Sequence, residues 1–287
     1  MKVLVVGATG KTGGAVVDAL VTRGVLVRAA SRHPCPPHSE VEHVRMDWSD
    51  ASSWDAALDG IDGLYLVGPY AEPDNAVLVR RLLAAATGVK RVVHLSIIGA
   101  ELLPNAIPMG QWERDIQGSG VEWTILRPNW FYQNFEQDFA SSLRDQATLE
   151  LPTGGAPISF VDTLDIAEVA ATALVEGGHG GGVYTLTGPE AMTCSDVVAE
   201  LGRAAGRELS FIDLEPHEFA RRLIENGLPA WAVEWQSALF GLIRAGGNAP
   251  VTDTVKSVTG HSPRPFATYA ERRAEHLRKQ LSSSARH

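Results

Sequence analysis

A glycine-rich turn follows the first apolar segment of this chain and indicates its fold. Residues 3–6 form a short β-branched run, typical of a buried parallel strand, and Gly7, Gly10 and Gly13 follow at intervals of three. Helical character then extends over residues 15–22. In a strand–turn–helix of this kind, glycines let the backbone approach a pyrophosphate, and the helix N-terminus offers it free N–H donors. The segment predicts a Rossmann-type dinucleotide-binding turn rather than a tight turn without a ligand.

Strand-like and helix-like segments alternate along the first half of the chain. This alternation is typical of an α/β protein with a Rossmann doubly wound parallel sheet. The predicted strands lie at 3–6, 25–30, 41–46, 64–67, 92–96 and 123–126, and the predicted helices at 15–22, 51–58, 75–86 and 108–117.

After about residue 130 the pattern becomes less regular. We expect a Rossmann core at residues 1–130 and a smaller C-terminal α/β lobe at residues 131–287, which binds substrate and is partly interleaved with the core. In this second half, strands are predicted at 158–161, 183–187 and 211–214, and helices at 130–144, 166–176, 194–205, 216–226, 230–245 and 266–279. In the last helix, the pairs Glu271/Glu275 and Arg272/Arg273 predict a solvated face.

Composition excludes several classes of function. A net charge of −9 argues against nonspecific nucleic-acid binding. Cys35 and Cys194 lack zinc or CxxC spacing, and the nine histidines show no metal-binding motif, so we expect no metal and reduced thiols. The apolar start is too short for a signal peptide or a membrane span. These features predict a cytoplasmic protein that acts on a small molecule as a monomer or homodimer.

The end of the second predicted strand bears on the choice of nucleotide. Enzymes that select NAD place an acidic residue there to bind the ribose diol, whereas this chain has Ser31 and Arg32. Arg32 can pair with a 2′-phosphate, and Lys11 can add a second positive charge, so NADP(H) is expected over NAD(H). A solvated loop cation is the alternative for Arg32. After the third strand, Asp47 and Trp48 either border the adenine or form an ordinary turn.

Further motifs carry a resemblance to a known family. Besides the glycine turn and Ser31-Arg32, the chain has Val92-Val93-His94-Leu95-Ser96, a segment at 120–128 that ends in Leu-Arg-Pro, and Phe160-Val161-Asp162. With these features the chain resembles the NmrA-like branch of the atypical short-chain dehydrogenase/reductases over nearly its whole length. Within that branch it looks most like quinone oxidoreductases and ergot-alkaloid-type iminium reductases. The resemblance implies a Rossmann core that binds NADP(H) and a C-terminal lobe that closes the substrate cleft.

The resemblance also implies which residues border the nucleotide, with residues 128–131 beside the nicotinamide. The complete predicted set comprises Gly7, Thr9, Gly10, Lys11, Thr12, Ser31, Arg32, Asp47, Trp48, Val67, Gly68, Pro69, Ser96, Pro128, Asn129, Trp130 and Phe131.

The chain departs from the family at the catalytic pair. Active short-chain reductases carry Tyr-x-x-x-Lys after the fifth strand, where the tyrosine protonates the carbonyl oxygen and the lysine lowers its pKa. If Glu113 is matched to the family's glutamate, Asn105 stands in place of the tyrosine and Met109 in place of the lysine. Neither side chain can do that chemistry. Ser96 remains at the usual serine position, although alone it is a weak acid.

Hydride transfer to an electron-poor acceptor does not need that pair. An iminium carbon is already electrophilic, and a reduced quinone can take its proton from water or from a modest acid. Tyr70 and Tyr132 follow strands at the ligand-binding edge of the sheet and are the candidate acids beside Ser96. Simple aromatic packing is the alternative for each tyrosine. The predicted substrate wall comprises Tyr70, Trp130, Tyr132, Phe135, Trp231 and Trp235, the last two spaced i, i+4 on a helix that can equally be core.

Two functions follow from these features. The first is an NADPH-dependent reductase of a small organic acceptor: a quinone, an imine or iminium, or an enone. The second is a non-catalytic, NADP(H)-sensing regulatory protein of the NmrA-like type, which the missing tyrosine and lysine favour. A third alternative is a non-redox reaction on the same fold, since a fold does not fix a function.

Overall fold

A computed structural model describes residues 1–33, 39–70, 72, 75–102 and 108–282. In chain order, the strands and helices are β1 (Lys2–Val6), α1 (Gly13–Thr22), β2 (Leu26–Ser31), β3 (Val41–Arg45), α2 (Trp54–Leu58), β4 (Gly63–Val67), α3 (Asn75–Ala85), β5 (Arg91–Leu95), α4 (Met109–Gln117), β6 (Glu122–Pro128), α5 (Asn134–Gln137), α6 (Ala140–Asp145), β7 (Thr148–Leu151), α7 (Thr163–Val175), β8 (Gly182–Leu186), α8 (Cys194–Ala205), β9 (Ser210–Asp213), α9 (Pro216–Glu225), α10 (Ala230–Arg244), α11 (Thr254–Thr259) and α12 (Phe266–Ser282). Short 3₁₀ turns lie at Ala51–Ser53 and Ala100–Leu102.

The first of two compact units holds a seven-stranded sheet in the order β3-β2-β1-β4-β5-β6-β8. Every pairing in this sheet is parallel, which confirms the predicted Rossmann-type α/β fold. Strand order reverses between β1 and β4, and the crevice at such a switch point, beyond the carboxyl ends of the strands, is where ligands bind in open α/β sheets. Val3, Leu4 and Val5 of β1 have no exposed surface, as expected of a strand in the middle of the sheet.

The chain leaves this unit after β6 and returns to it twice. Residues Thr163–Leu186 add α7 and the edge strand β8, in which Gly182 is paired with Thr124 of β6. Residues Thr254–His261 add α11, which packs against α7 and β8. The sheet is therefore completed by segments that lie far apart in sequence.

The second compact unit comprises the described residues of three stretches, which begin at Asn129, Thr187 and Ser262. Its strands β7 and β9 pair in parallel, and α8 packs against α12. Aromatic side chains fill its core, among them Phe135, Phe160 and Phe266. No helix in the described part of the chain is long and apolar enough to span a bilayer.

Two buried carboxylates tie the C-terminal helix α12 to this second unit. Arg272 donates to Asp162 at 2.7 Å, and Arg273 donates to Glu136 at 2.6 Å. Tyr269 also donates its hydroxyl proton to Glu136. The predicted solvated face is present, since the Arg272 and Arg273 side chains are 38% and 39% exposed, but each guanidinium also neutralises a carboxylate that is almost without exposed surface.

Candidate active site

The turn between β1 and α1 has a backbone that only glycine accommodates. Gly7 adopts a φ of +76°, in the left-handed region, and its carbonyl accepts a hydrogen bond from Gly10 N–H at 2.8 Å. A Cβ on Gly13 would lie 2.1 Å from the Gly7 carbonyl oxygen. The N–H groups of Gly7 and Ala8 both donate to Ala30 O at 3.1 Å, which fixes the turn against β2.

The start of α1 suits an anion. Its first turn carries no acidic residue, and the N–H groups there have no partner within the helix. Thr12, which precedes the helix, is buried and accepts a 2.9 Å hydrogen bond from the hydroxyl of Tyr65. Thr9 and Gly10 are exposed, and Lys11 is half-buried. The tight glycine cradle and this helix N-terminus fit the pyrophosphate of a dinucleotide.

Beyond β2, Ser31 and Arg32 occupy different environments. Ser31 is buried and donates its hydroxyl proton to the carbonyl of His33. The Arg32 side chain is 54% exposed, and its Nη1 lies 3.8 Å from Oε1 of Glu72, a residue that the sequence analysis did not single out. Ser31 therefore has no proton to donate to a ligand, whereas the exposed guanidinium of Arg32 keeps donors available.

Asp47 and Trp48 form part of a hydrogen-bonded turn after β3. Both the N–H and the hydroxyl of Ser49 donate to Asp47 Oδ1, at 3.1 and 2.7 Å. These bonds, with Arg45 and Arg32 nearby, hold the pKa of Asp47 below its ordinary value. The ring of Trp48 meets Trp54 edge-on. The turn accounts for these two residues without a ligand, and their contact with adenine stays a prediction.

The loop after β4 packs against one large aromatic side chain. A Cβ on Gly68 would lie 2.3 Å from the ring of Trp112, and the ring of Tyr70 stands edge-on to the same indole at 5.0 Å between centroids. Val67 is half-buried and Pro69 is buried. Trp112, from α4, thus fixes the position of Tyr70.

The surroundings of the Tyr70 hydroxyl decide whether it can donate a proton. Its side chain is half-buried, and within the described residues its hydroxyl makes no hydrogen bond. Burial raises the pKa of Tyr70, and the negative charge of Glu113 raises it further. The phenol therefore stays protonated at neutral pH and can donate.

Ser96 is committed to a buried ion pair. Its hydroxyl donates to Glu113 Oε1 at 2.5 Å, and Arg127 donates to both oxygens of that carboxylate at 3.0 and 2.6 Å. An ionised carboxylate only accepts hydrogen bonds, so the Ser96 proton points at Glu113. Arg127 also pairs with Glu101 at 2.7 Å. This arrangement does not favour Ser96, which is 1% exposed, as a proton donor.

Of the two residues predicted to stand in place of the catalytic pair, one lies within the described chain. Met109 begins α4 and is 3% exposed. Asn105 lies outside the described residues. A buried thioether cannot supply the positive charge that a lysine would hold there.

Residues 128–131 end the sheet and enter the second unit. The Pro128 carbonyl accepts from Ile98 N–H at 3.0 Å. The Asn129 amide is fully occupied: Nδ2 donates to Ser159 and to Asn248 O, while Oδ1 accepts from Asn248 and from the Trp130 N–H. The side-chain amide of Asn129 is therefore engaged within the protein, so a predicted role for that amide in nucleotide binding is not favoured.

The aromatic residues of the second unit divide between core and surface. Trp130 stacks on Phe139, and Phe131 pairs with Val161 through an isolated bridge. Tyr132 and Phe135 are each 1% exposed, and Tyr132 donates its hydroxyl proton to the carbonyl of Arg264 at 2.9 Å.

Because the Tyr132 hydroxyl already donates its proton within the core, Tyr132 is not favoured as the acid.

Trp231 is 57% exposed at the start of α10. Trp235 is half-buried, and its Nε1–H lacks a partner among the described residues. Despite their i, i+4 spacing, these two tryptophans have different surroundings, and their contact with a substrate stays a prediction.

The parallel sheet, the glycine cradle and the helix N-terminus together define a Rossmann-type dinucleotide-binding protein. Residues 7–176 match the family model described as NAD(P)H-binding, and the chain belongs to that family.

Curated relatives include the NAD(P)H azoreductase of Xenophilus azovorans, 32% identical over 95% of this chain and 98% of the relative. An agroclavine dehydrogenase of Claviceps fusiformis is 31% identical, covering 94% and 96% of the two chains.

Solved structures agree with this assignment. The NADPH-dependent quinone oxidoreductase QOR2 of Escherichia coli, complexed with NADPH, superposes with a TM-score of 0.79 at 25% identity and covers 95% of this chain and 99% of its own. NmrA, a negative transcriptional regulator in complex with NADP, shares the fold at 16% identity, with a TM-score of 0.77 over 98% and 97% of the two chains. The predicted resemblance to NmrA-like oxidoreductases is confirmed.

Proposed function

We propose that this protein is an NADPH-dependent reductase of a small, electron-poor organic acceptor and works without a Tyr-x-x-x-Lys pair. The observation that carries the proposal is the glycine cradle at the switch point of the sheet, with an exposed arginine and no acid at the end of β2. A bound nicotinamide supplies the hydride. The protein's own residues bind the nucleotide, position the acceptor and supply a proton where one is needed.

Preference for NADPH over NADH rests on the charge at the end of β2. An acidic residue there would repel a 2′-phosphate, whereas the Arg32 fork can bind one through two parallel hydrogen bonds. Arg32 is 54% exposed, so its donors are accessible. The Escherichia coli relative complexed with NADPH supports the same preference.

The acceptor class follows from the missing catalytic pair. A buried Met109 cannot lower the pKa of a tyrosine, so reduction of an ordinary ketone lacks its usual acid. Quinones, iminium ions and activated enones accept hydride without strong acid assistance. The names of the relatives, an azoreductase, a quinone oxidoreductase and a clavine dehydrogenase, support such an acceptor.

Tyr70 is the residue that we assign as hydrogen-bond donor to the acceptor. Of the three predicted acids it is the one whose hydroxyl has no partner among the described residues, whereas Ser96 and Tyr132 donate to protein groups. A phenol with a raised pKa is a weak acid. It suits an acceptor whose reduced anion needs only a hydrogen bond at first and takes up a proton after the hydride has been transferred.

The function is tested first by nucleotide titration and then by turnover. Purified protein is titrated with NADPH and NADH, and loss of the reduced-nicotinamide absorbance is followed with a panel of quinones, cyclic imines and enones. We expect tighter binding of NADPH and consumption that depends on the acceptor. Tight binding without consumption across the panel would favour the NmrA-like sensor, and binding of neither nucleotide would refute the proposal.

The role of Tyr70 is tested with Tyr70→Phe, using Tyr184→Phe as the matched control. Tyr184 lies in β8 and its hydroxyl contacts His179. Loss of a general acid typically costs about 10²- to 10⁴-fold, and we expect about tenfold to a hundredfold for a quinone because water can partly replace the phenol. An iminium acceptor needs no proton and should be little affected. Equal losses with both acceptors, or none with a quinone, would argue against Tyr70.

A further inference from the structure

The exposed cation expected to meet a 2′-phosphate already has an anionic neighbour. Arg32 Nη1 lies 3.8 Å from Glu72 Oε1, and the Glu72 side chain is only 15% exposed. The backbone N–H of Glu72 donates to Pro69 O at 3.1 Å, which fixes this part of the loop. The pair is a loose ion contact in which the glutamate is the more confined partner.

The topology places this pair beside the nucleotide-binding turn. Arg32 follows β2 and Glu72 follows β4, and these two strands flank β1. The glycine turn begins directly after β1, so the ion pair joins the two loops on either side of it. Strands in a sheet lie about 4.8 Å apart, so the two loops start only about 10 Å from each other.

A second carboxylate, that of Asp47, lies within electrostatic range of the same guanidinium but is already neutralised. The charge of Arg32 contributes to the lowered pKa of Asp47, although less than the hydrogen bonds from Ser49 and the charge of Arg45 do. Asp47 also pairs with Arg45 at 3.1 Å and accepts two hydrogen bonds from Ser49. The negative charge that stays uncompensated without Arg32 is therefore that of Glu72, for which the described residues contain no other ion-pair partner.

We propose that Glu72 is a specificity-determining residue of the nucleotide site: it holds Arg32 in an ion pair that an incoming 2′-phosphate displaces, and it thereby reduces the preference for NADP(H) over NAD(H). A phosphate that takes over Arg32 leaves the Glu72 carboxylate unpaired next to a second negative group. A nucleotide with a free 2′-hydroxyl does not displace Arg32 from Glu72. This inference rests on the proposed nucleotide-binding function and deepens it.

The test uses two probes that differ by one phosphate group and undergo no hydride chemistry. Adenosine 2′,5′-bisphosphate and adenosine 5′-monophosphate are titrated calorimetrically into wild-type protein and into Glu72→Gln. Glu122→Gln is the matched control, since it removes the same charge from another pair with an arginine, Arg91, at the amino end of β6. Glu72→Ser repeats the test without an amide at the position.

We expect Glu72→Gln and Glu72→Ser to increase the affinity for the bisphosphate about fivefold relative to that for the monophosphate. A fivefold change corresponds to about 1 kcal/mol of binding free energy, the size expected for a loose ion pair. Glu122→Gln should leave the ratio unchanged, and most of the effect should disappear in an Arg32→Gln background. An unchanged ratio in both Glu72 variants, with wild-type binding intact, would overturn this inference alone. Failure of wild-type protein to bind either probe or NADPH would overturn it together with the proposed function.

Discussion

Gly13 offers a steric test of the nucleotide-binding turn that does not depend on the acceptor. In Gly13→Ala the new Cβ would lie 2.1 Å from the Gly7 carbonyl oxygen and 2.8 Å from Ala8 Cα, whereas real Cβ contacts are almost never shorter than 3.0 Å. The obstructing atoms are backbone and cannot rotate away. The turn and α1 must therefore separate by about 1 Å, within the range where overpacking costs about 1–3 kcal/mol.

The expected net effect follows from two opposing contributions. We take the upper end of the steric cost, about 3 kcal/mol, because the clash is deep. Alanine recovers at most about 1 kcal/mol over glycine in a helix, which leaves a loss of about 2 kcal/mol in the free energy of unfolding. The displaced N–H groups should also weaken NADP⁺ binding at least about tenfold, since the turn works by close approach to the pyrophosphate.

Gly14→Ala is the matched control. Its Cβ would lie 3.5 Å from the Ala8 carbonyl oxygen, an ordinary contact, so the variant should be as stable as wild type or up to about 1 kcal/mol more stable, with binding retained. Urea unfolding and NADP⁺ calorimetry on both variants make the comparison. Wild-type affinity in Gly13→Ala, or an equal loss of affinity in Gly14→Ala, would refute the steric reasoning.

Three further predictions concern buried charge and titration. Burial lowers the pKa of His94 from its ordinary value of 6.5 to about 4. The folded protein is therefore destabilised as the pH falls from 6.5 through 4, by up to about 3 kcal/mol in the free energy of unfolding. Urea unfolding at pH 7 and pH 4 should show a smaller loss of stability between the two pH values for His94→Phe than for wild type. Arg273→Met leaves the buried Glu136 carboxylate without its guanidinium partner and should lower the free energy of unfolding by about 3–5 kcal/mol. Arg221→Met, which removes an exposed ion pair, should cost much less in the same chemical unfolding assay. Burial raises the pKa of Cys194 to about 12, so the thiol stays protonated at pH 8. A thiol reagent at that pH should label Cys194 only after denaturation. Rapid labelling of Cys194 in the native protein, detected by peptide mapping, would contradict this expectation.

Elements with local signals at both ends were predictable from the sequence. Helix α8 begins and ends at the predicted residues, 194 and 205. A capping box between Thr193 and Asp196 starts it, and Gly206 ends it with a φ of 67°. The central strands β1 and β4 were equally predictable, because they are buried and read as continuous apolar runs whose neighbours need not be known.

Elements defined by distant partners were missed or misassigned. The predicted strand at 158–161 makes only isolated bridges, through Ile158 with Met192 and through Val161 with Phe131. The predicted helix at 130–144 is divided into α5 and α6. Strand β7 was not predicted, since its partner β9 lies about 60 residues away and its four residues carry no strong pattern of their own. Pairing of this kind depends on tertiary structure rather than on local propensity.

In the candidate site, too, distant partners decide what local sequence signals cannot, here for single hydroxyl groups. Residue type and position at the carboxyl edge of the sheet predicted Tyr132, Tyr70 and Ser96 as candidate acids. What separates them is the acceptor of each proton: Glu113 for Ser96, the Arg264 carbonyl for Tyr132, and no group among the described residues for Tyr70. Those acceptors lie 17 and 132 residues away from the hydroxyls that they engage. A proton already donated to the protein is not available to a substrate, so the partner of a side chain, which the sequence does not reveal, decides whether a nominated acid can act.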